Sequence, residues 1–490
     1  MKKKAVVIGA GFAGLSAATG LADAGFEVQI LEKNSTPGGR ARKFEAQGYT
    51  FDMGPSWYWM PDIFDWYFER FGKKVSDYYE LTRLDPSYRI YFGKDDVMDM
   101  PANIDEMYKL FESVEKGAGE KLRSFLDEAE YKYNVGMKDF VHKPGLSFLE
   151  YADLRLMKAS MNLHVFQSFH NYTRKYFKNP RLLQILEFPI LFLGGTGKKT
   201  PALYSLMNYG DIKLGTWFPK GGMFKIIEGM VKLAEEKGVK INYNTPVEKF
   251  EYNGGKIKSA ISGMVSFAAD YFVGAADYHH IEQNILPAEY RKYSSKYWDS
   301  RVMSPSSLLW YVGVNKKLDS LEHHNLLFDE PFEPHASAIY QNPHWPEKPS
   351  IYVSMTSKYD TSAAPEGHEN LFILVPVAPG LEDTIDIRQK YLDIAIERLE
   401  KLTGETIAPH IDYKRSYAQS DFIIDYNAFK GNAYGLANTL MQTAFLKPSL
   451  KSRKLKNLYY TGQLTVPGPG VPPALISGQI VKKLIIENES

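Results

Sequence analysis

Three glycines stand between a short apolar run and a helix-forming stretch at the start of this 490-residue chain. Ala5-Val6-Val7-Ile8 is the kind of β-branched run that makes a strand buried on both faces. Gly9-Ala10-Gly11-Phe12-Ala13-Gly14 follows at once. Leu15 to Ala24 reads as a small-residue helix, and Gly25 ends it. Phe26 to Leu31 reads as a second strand, with Glu32 at its end. The pattern is a βαβ unit carrying a dinucleotide fingerprint. Gly9 permits the tight strand-to-helix turn. Gly11 has no Cβ, so a pyrophosphate can come up to the backbone, and Gly14 lets the helix pack close to the strand. The helix start, with Phe12 and Ala13, then turns its free N–H groups and positive end toward the phosphates. Glu32 is placed to accept hydrogen bonds from the ribose hydroxyls. A lone GxGxxG is a weak signal. A strand before it, a helix after it and an acid about 20 residues on supply the context that makes it specific.

Asn34-Ser35-Thr36-Pro37-Gly38-Gly39-Arg40 puts a second glycine-rich turn directly after that acid. An NAD domain would run on into another crossover helix. Here the chain brings flexible backbone and an arginine back toward the pyrophosphate. This arrangement resembles the flavin amine oxidases and carotenoid desaturases, where Leu31-Glu32-Lys33 and Gly38-Gly39-Arg40 match the FAD-binding signature. The resemblance implies FAD as cofactor, with Lys33, Gly39 and Arg40 among the residues that hold it.

A chain of this length is too long for one core. The expected architecture is α/β. A Rossmann-type FAD-binding domain is built from discontinuous segments 1–87, 215–300 and 412–490. A mixed-sheet substrate domain spans 88–130 and 301–411, and a helical, membrane-associating subdomain spans 131–214. Charge is nearly balanced, 59 Lys and Arg against 58 Asp and Glu, so no field attracts nucleic acid and none is expected as a partner. The absence of cysteine excludes disulfides, thiolate metal sites and a cysteine nucleophile. No run of about 18 uncharged apolar residues suggests a transmembrane helix. No signal peptide precedes the first strand, so the expectation is a peripheral protein on the cytosolic side of a membrane. Aromatic residues make up 14% of the chain, a supply that suits a large apolar ligand or a membrane surface.

After Arg40, Asp52-Met53-Gly54-Pro55 is a turn signal. The resemblance places this turn, with Gly54, Pro55 and Ser56, beside the flavin ring, and Trp57, Tyr58 and Trp59 near the substrate channel. Tyr88–Phe92 and Val97–Met100 read as paired strands, and Ile104 to Tyr133 as helical. The stretch from Leu146 to Leu193 interleaves apolar runs with Lys158, Arg174, Lys175, Lys178 and Arg181. That pattern fits either an ordinary helical subdomain or helices lying in a membrane interface. The resemblance favours the second, because these desaturases take substrates that dissolve only in lipid.

Pro219-Lys220-Gly221-Gly222 leads into a helix from Phe224 to Lys237, then a strand from Val239. The family has the same order, ending in a valine that pairs with the adenine through its backbone, which implies that role for Val247. A return strand from Tyr271 to Asp277 closes the nucleotide sheet and delivers Asp277 to the cofactor. Strand-rich runs between Ser306 and Ile407 are expected to form a mixed sheet walling the substrate site. The last signal runs from Thr461 to Pro473: a strand, the run Pro467-Gly468-Pro469-Gly470-Val471-Pro472-Pro473, then a small-residue helix from Ala474. By resemblance, Gly462, Gly470 and Val471 complete the cofactor site.

No Ser/His/Asp order, HExxH or CxxC appears in the sequence. His279-His280 and His323-His324 are adjacent pairs, and on a strand neighbours point to opposite faces, so no metal is expected. The chemistry therefore comes from the cofactor. From Val6 to Ile485 the chain resembles bacterial phytoene desaturases and related carotenoid desaturases. That resemblance implies dehydrogenation of a long polyene, by hydride transfer to flavin and loss of a proton from the neighbouring carbon. Quinone or oxygen would be the electron acceptor. Glu150, in a Leu-Ser-Phe-x-acid segment, stands where the family has an acid and is the candidate proton acceptor. The lead reading is conversion of phytoene toward lycopene. A later desaturase working on a monocyclic or hydroxylated carotenoid (the γ-carotene type, 3,4-desaturation) is the close alternative. A flavin amine oxidase or a non-catalytic FAD-binding carrier would be another class.

Overall fold

A computed structural model describes residues 2–147, 150 and 163–489. The first layer is a five-stranded sheet. Its strands are β1 (Lys4–Ile8), β2 (Glu27–Leu31), β3 (Lys240–Asn242), β4 (Tyr271–Gly274) and β5 (Leu458–Tyr460), in the spatial order β5-β4-β1-β2-β3. Every pairing is parallel, so both faces must be covered, as the unbroken apolar run of β1 requires. The helix α1 (Phe12–Asp23) joins β1 to β2. The crossover from β3 to β4 carries an antiparallel meander, Lys249–Asn253, Lys256–Ser262 and Val265–Ala268, which has no counterpart in the sequence reading.

The first and last segments meet through their helices. The C-terminal helix α3 (Val471–Glu489) lies against α1, while α2 (Phe224–Glu236) packs beside α1 elsewhere in the same layer. Ser16 Oγ donates to the Leu475 carbonyl at 2.7 Å, and Gln479 Nε2 donates to the Ser16 carbonyl at 2.7 Å. A Cβ at Gly478 would lie 2.5 Å from the Ala13 carbonyl oxygen. Backbone-to-backbone approach thus brings the end of the chain onto its beginning.

The second layer is a seven-stranded sheet in the order Ile411–Tyr417, Ser306–Val314, Glu369–Val377, Ile351–Ser354, His324–Leu327, Tyr88–Gly93, Asp96–Met100. All its pairings are antiparallel except that of His324–Leu327 with Tyr88–Gly93, so it is a mixed sheet. Ile411–Tyr417 pairs with Ser306–Val314, which carries the second sheet to Tyr417, past the boundary expected at 411. The run read as one helix from Ile104 is two, Ile104–Val114 and Ala118–Val135. Gly117, at φ 82°, breaks it. Below them lie the helices Phe169–Tyr176 and Pro180–Glu187. Much of the stretch expected to meet a membrane, 148–149 and 151–162, lies outside the described residues.

Candidate active site

A cavity of about 1180 Å³ runs between the two layers and into the helical subdomain. One end is built by the glycine turns. Gly14 is needed by the protein itself, since a Cβ there would lie 2.0 Å from the Gly9 carbonyl oxygen. Gly11 is different: a Cβ there would meet nothing within 4 Å. Packing gives no reason for glycine at Gly11, but the cavity it lines does. Gly11 caps α1 with no side chain, so the first-turn N–H groups of Phe12 and Ala13 remain available to an anion. The second turn lies across them, with Gly39 at φ 55° and its Cβ position 3.5 Å from the Gly11 Cα. The Gly38 N–H donates to the Ala10 carbonyl at 2.8 Å.

Glu32 is almost fully buried. Its two carboxylate oxygens accept the N–H groups of Ala10, at 2.7 Å, and Asn34, at 2.9 Å. Each oxygen keeps a further lone pair toward the cavity it lines, which fits a ribose diol. Lys33 lines the same end, but its Nζ is committed to the Ile424 carbonyl at 2.6 Å, and burial pulls its pKa down. Val247 also lines the cavity. Among the described residues no group pairs with its backbone N–H or carbonyl, the two atoms an adenine edge would use.

Arg40 donates through Nη2 to the Asn432 carbonyl at 3.0 Å and lies over the Tyr426 ring. Burial pushes its pKa down, while the charge of Asp277 opposes that shift. Its Nε is buried with no partner among the described residues, an orphaned donor beside the glycine turns. Asp277 faces the cavity and accepts the N–H groups of His280 and Phe429, at 3.2 and 3.3 Å. Its expected contact with the cofactor is therefore shared with a capping role. Tyr426 ends the helix Gln419–Tyr426 and Asn432 follows the short turn Phe429–Gly431; neither carries a motif, and sequence reasoning missed them.

The Asp-x-Gly-Pro turn does two jobs. Asp52 accepts the N–H groups of Met223 and Phe224, at 2.7 and 2.9 Å, and so holds the start of α2. Burial raises its pKa to about 6. Gly54, Pro55 and Ser56 line the cavity, and so do Trp57 and Trp59. Tyr58 does not: its hydroxyl is buried against that of Tyr79, at 3.0 Å. Gly462 stands at φ 108°, 3.8 Å from the Ala13 side chain as measured from its Cβ position. Gly470 is the residue whose carbonyl accepts the Ala474 N–H, at 3.0 Å. The helix α3 begins at Val471, earlier than the sequence suggests, because Pro472 and Pro473 fit a first turn whose N–H groups are unpaired anyway. Those prolines leave Val471 as the free donor of that turn, so the helix offers the cavity its dipole more than its N–H groups.

The donors left free at the first turn, the open face of Gly11 and the orphaned Arg40 Nε all fit a dinucleotide that continues past its pyrophosphate. The model of the flavin containing amine oxidoreductase family matches residues 12–481. The chain belongs to that family. Its cofactor is FAD, and it is an oxidoreductase. A carotenoid 3,4-desaturase of Haloarcula japonica is 42% identical over 484 residues, 98% of each chain. A zeta-carotene-forming phytoene desaturase of Myxococcus xanthus is 29% identical, over 99% of this chain and 94% of its own. A 4,4'-diapophytoene desaturase of Staphylococcus aureus is 30% identical over 99% of each. Among solved structures, an oxidoreductase from Methanosarcina mazei matches with a TM-score of 0.66 at 15% identity, covering 98% of this chain and 100% of its own. A putrescine oxidase matches with 0.61 at 15%, over 99% of each. These two likenesses concern the fold.

Beyond the nucleotide end, the cavity of this flavoenzyme turns apolar. Phe64, Met137, Phe140, Leu206, Phe372 and Leu374 wall it. A polar chain reaches this wall. Tyr352 Oη donates to Ser56 Oγ at 2.8 Å and accepts from His324 Nδ1 at 2.7 Å. The His324 ring stacks on Trp57, with centroids 4.1 Å apart. Burial holds the His324 pKa well below its ordinary value, so the ring is neutral. His323 and His324 are both buried, and His279 and His280 lie on a helical turn rather than a strand. Among the described residues no group of three or more His, Cys, Asp or Glu is placed to hold a metal.

Glu150 stands apart from the cavity lining. Its carboxylate accepts the N–H groups of Gly145, Leu146 and Ser147, at 2.9, 2.8 and 3.1 Å, which closes its own loop.

Proposed function

We propose that this flavoenzyme is a carotenoid desaturase that introduces C=C bonds into a long polyene. The observation that carries the reading is the cavity. It continues past the cofactor end, where its wall is aromatic and aliphatic. An amine substrate would call for a carboxylate there, and the residues named on that wall carry none. The full-length likeness to three carotenoid desaturases supports the same class. Of the two carotenoid readings, 3,4-desaturation is favoured over phytoene-to-lycopene conversion by the higher identity to the Haloarcula relative.

Bound FAD supplies the two-electron oxidation. The chain's own work is binding and exclusion of water. The apolar wall strips water from the polyene and holds a C–C bond in one place against the cofactor. A conjugated polyene stabilises positive charge that develops along it, so a strong base need not touch the reacting carbon. Ser56, tied through Tyr352 to neutral His324, gives the wall a hydroxyl near that place. Glu150, with three backbone donors on its carboxylate, serves the reaction by fixing the loop from Gly145 to Ser147.

The substrate enters from a membrane surface. Phe166 is 93% exposed, and it lines the cavity together with Phe445. Leu146, Met441 and Leu446 are also exposed, and Gly145 packs on Ala444, which draws these segments together. Such an apolar rim marks a membrane or partner site. Among the described residues no helix is long and apolar enough to cross a membrane. Quinone or oxygen would serve as the electron acceptor.

Expression in cells that accumulate either phytoene or a hydroxylated, already coloured carotenoid tests the reading. A red shift of the extracted pigment in the second host, with little change in the first, supports 3,4-desaturation. New coloured bands in the first host support the phytoene reading. No change in either, from protein carrying FAD, rejects the class.

A further inference from the structure

Lys447 carries a buried amine that has no counter-ion among the described residues. The residue is 4% exposed, and among the described residues its Nζ has no hydrogen-bond partner. Asn438 Oδ1 is likewise buried and unpaired. Both atoms lie directly behind one residue of the C-terminal turn. A Cβ at Gly468 would stand 3.0 Å from Asn438 Oδ1 and 3.5 Å from Lys447 Nζ. Gly468 and Asn438 line the cofactor cavity. Lys132, also buried, shows the usual arrangement: its Nζ donates to Ser205 Oγ at 3.1 Å and faces Glu128.

An unpaired buried ammonium is costly, and an apolar side chain of the same length would pack as well. Burial draws the Lys447 pKa down to about 7, and among the described residues no carboxylate opposes that shift. Such a group is expected where a negative charge arrives from outside the chain. The turn's position says which part of the cofactor is near. Gly462 lies against Ala13, at the dinucleotide end. Val466 lies against Gly145, with 3.1 Å from the Gly145 Cβ position to its side chain. Between Gly462 and Gly468 the chain therefore passes from the pyrophosphate side to the helical wall where the apolar cavity begins. Lys447 stands at that far side.

We propose that Lys447 is the counter-ion of the flavin ring: its ammonium, held behind Gly468, offsets the negative charge the ring carries after taking up electrons, and so raises the cofactor's reduction potential. The Asn438 amide shares the pocket and orients what bridges to the ammonium. A nearby negative ring in turn favours the charged lysine. The proposal rests on the bound FAD and is independent of the carotenoid reading, so its test uses no carotenoid.

Purified holoprotein is titrated with sulfite, which adds to oxidised flavin and leaves negative charge on the ring. The visible flavin band reports binding. Lys447→Met is expected to weaken sulfite binding by about tenfold or more, about 1.4 kcal/mol, and to move the midpoint potential, read by equilibrium dye reduction, to a more negative value. Lys447→Arg keeps the charge and stays near the wild-type values. Removing an unpaired buried charge leaves Lys447→Met at least as heat-stable as the wild type, which separates the effect from misfolding. Unchanged sulfite affinity and potential in Lys447→Met overturn the proposal. So does a loss of FAD affinity with unchanged sulfite affinity, because the ammonium would then serve the pyrophosphate.

Discussion

A Cβ at Gly54 would lie 2.1 Å from the carbonyl oxygen of Arg40. The turn that follows the hairpin of Lys43–Ala46 and Tyr49–Asp52 is thereby pressed against the turn that follows the βαβ unit, and neither can move alone. Gly54→Ala is expected to push these turns apart. Soluble holoprotein should fall sharply, with loss of several kcal/mol of stability, as read by thermal unfolding and by flavin content after purification.

Gly11 gives the contrasting case. Its Cβ direction is open, and its φ of −79° suits any residue. Gly11→Ala should leave the apoprotein within about 1 kcal/mol of the wild type while FAD affinity drops at least about tenfold. Equal FAD affinity in the two proteins would mean that the pyrophosphate does not pass over Gly11.

Glu32 holds two backbone N–H groups of its own turns. In Glu32→Gln one acceptor oxygen becomes an NH₂ group facing an N–H donor. The expected cost is about 1–3 kcal/mol, with weaker FAD binding, read by flavin release in urea. A variant that binds FAD as tightly and unfolds at the same urea concentration would contradict the role.

His335 sets an acid limit. Its Nδ1 accepts the Ser350 N–H at 2.9 Å and its Nε2 pairs with the Pro376 carbonyl at 2.7 Å, so the ring must be neutral. Burial lowers its pKa from 6.5 to about 4. The folded value is depressed, so the stability this group contributes is present above pH 6.5 and lost as pH falls toward 4, about 1.4 kcal/mol per unit. Asp52 and Asp211, raised to about 6 and about 7, act oppositely: their contribution is present below their ordinary value of 3.8 and fades as pH rises through 6 to 7. The difference between wild type and His335→Gln isolates the histidine. Denaturation midpoints should converge as pH falls from 7 to 4.5, and a constant gap would contradict the assignment.

Phe166, almost wholly exposed, contributes nothing to the core. Phe166→Asp should leave thermal unfolding unchanged and reduce cosedimentation with lipid vesicles by about tenfold, the scale of one buried aromatic. Undiminished sedimentation would remove this rim from the membrane contact.

The nucleotide end was legible because its constraints are local. Gly9, Gly11, Gly14 and Glu32 are fixed by a turn, a helix start and a strand end, all within one short stretch of sequence. The C-terminal turn was legible for the same reason, although its helix starts at Val471 because paired prolines cost nothing in a first turn. What was not legible depends on distant packing. The capping of α2 by Asp52, the support of Arg40 by Asn432 and the isolation of Lys447 join residues far apart in the chain, and no spacing announces them. Tyr58 looked like its neighbours Trp57 and Trp59, yet alternation along the chain turns it into the core. Glu150 carried an acid where chemistry was sought, but the loop's own N–H groups hold it.

The most direct measurement is anaerobic mixing of the FAD-loaded protein with a candidate carotenoid in vesicles, following the flavin band and the mass of the extracted pigment. The account predicts bleaching of the flavin in step with a pigment lighter by two hydrogens, and recovery of the band on adding quinone or oxygen. A flavin that stays oxidised with phytoene and hydroxylated carotenoids alike, yet bleaches with an amine, would contradict it.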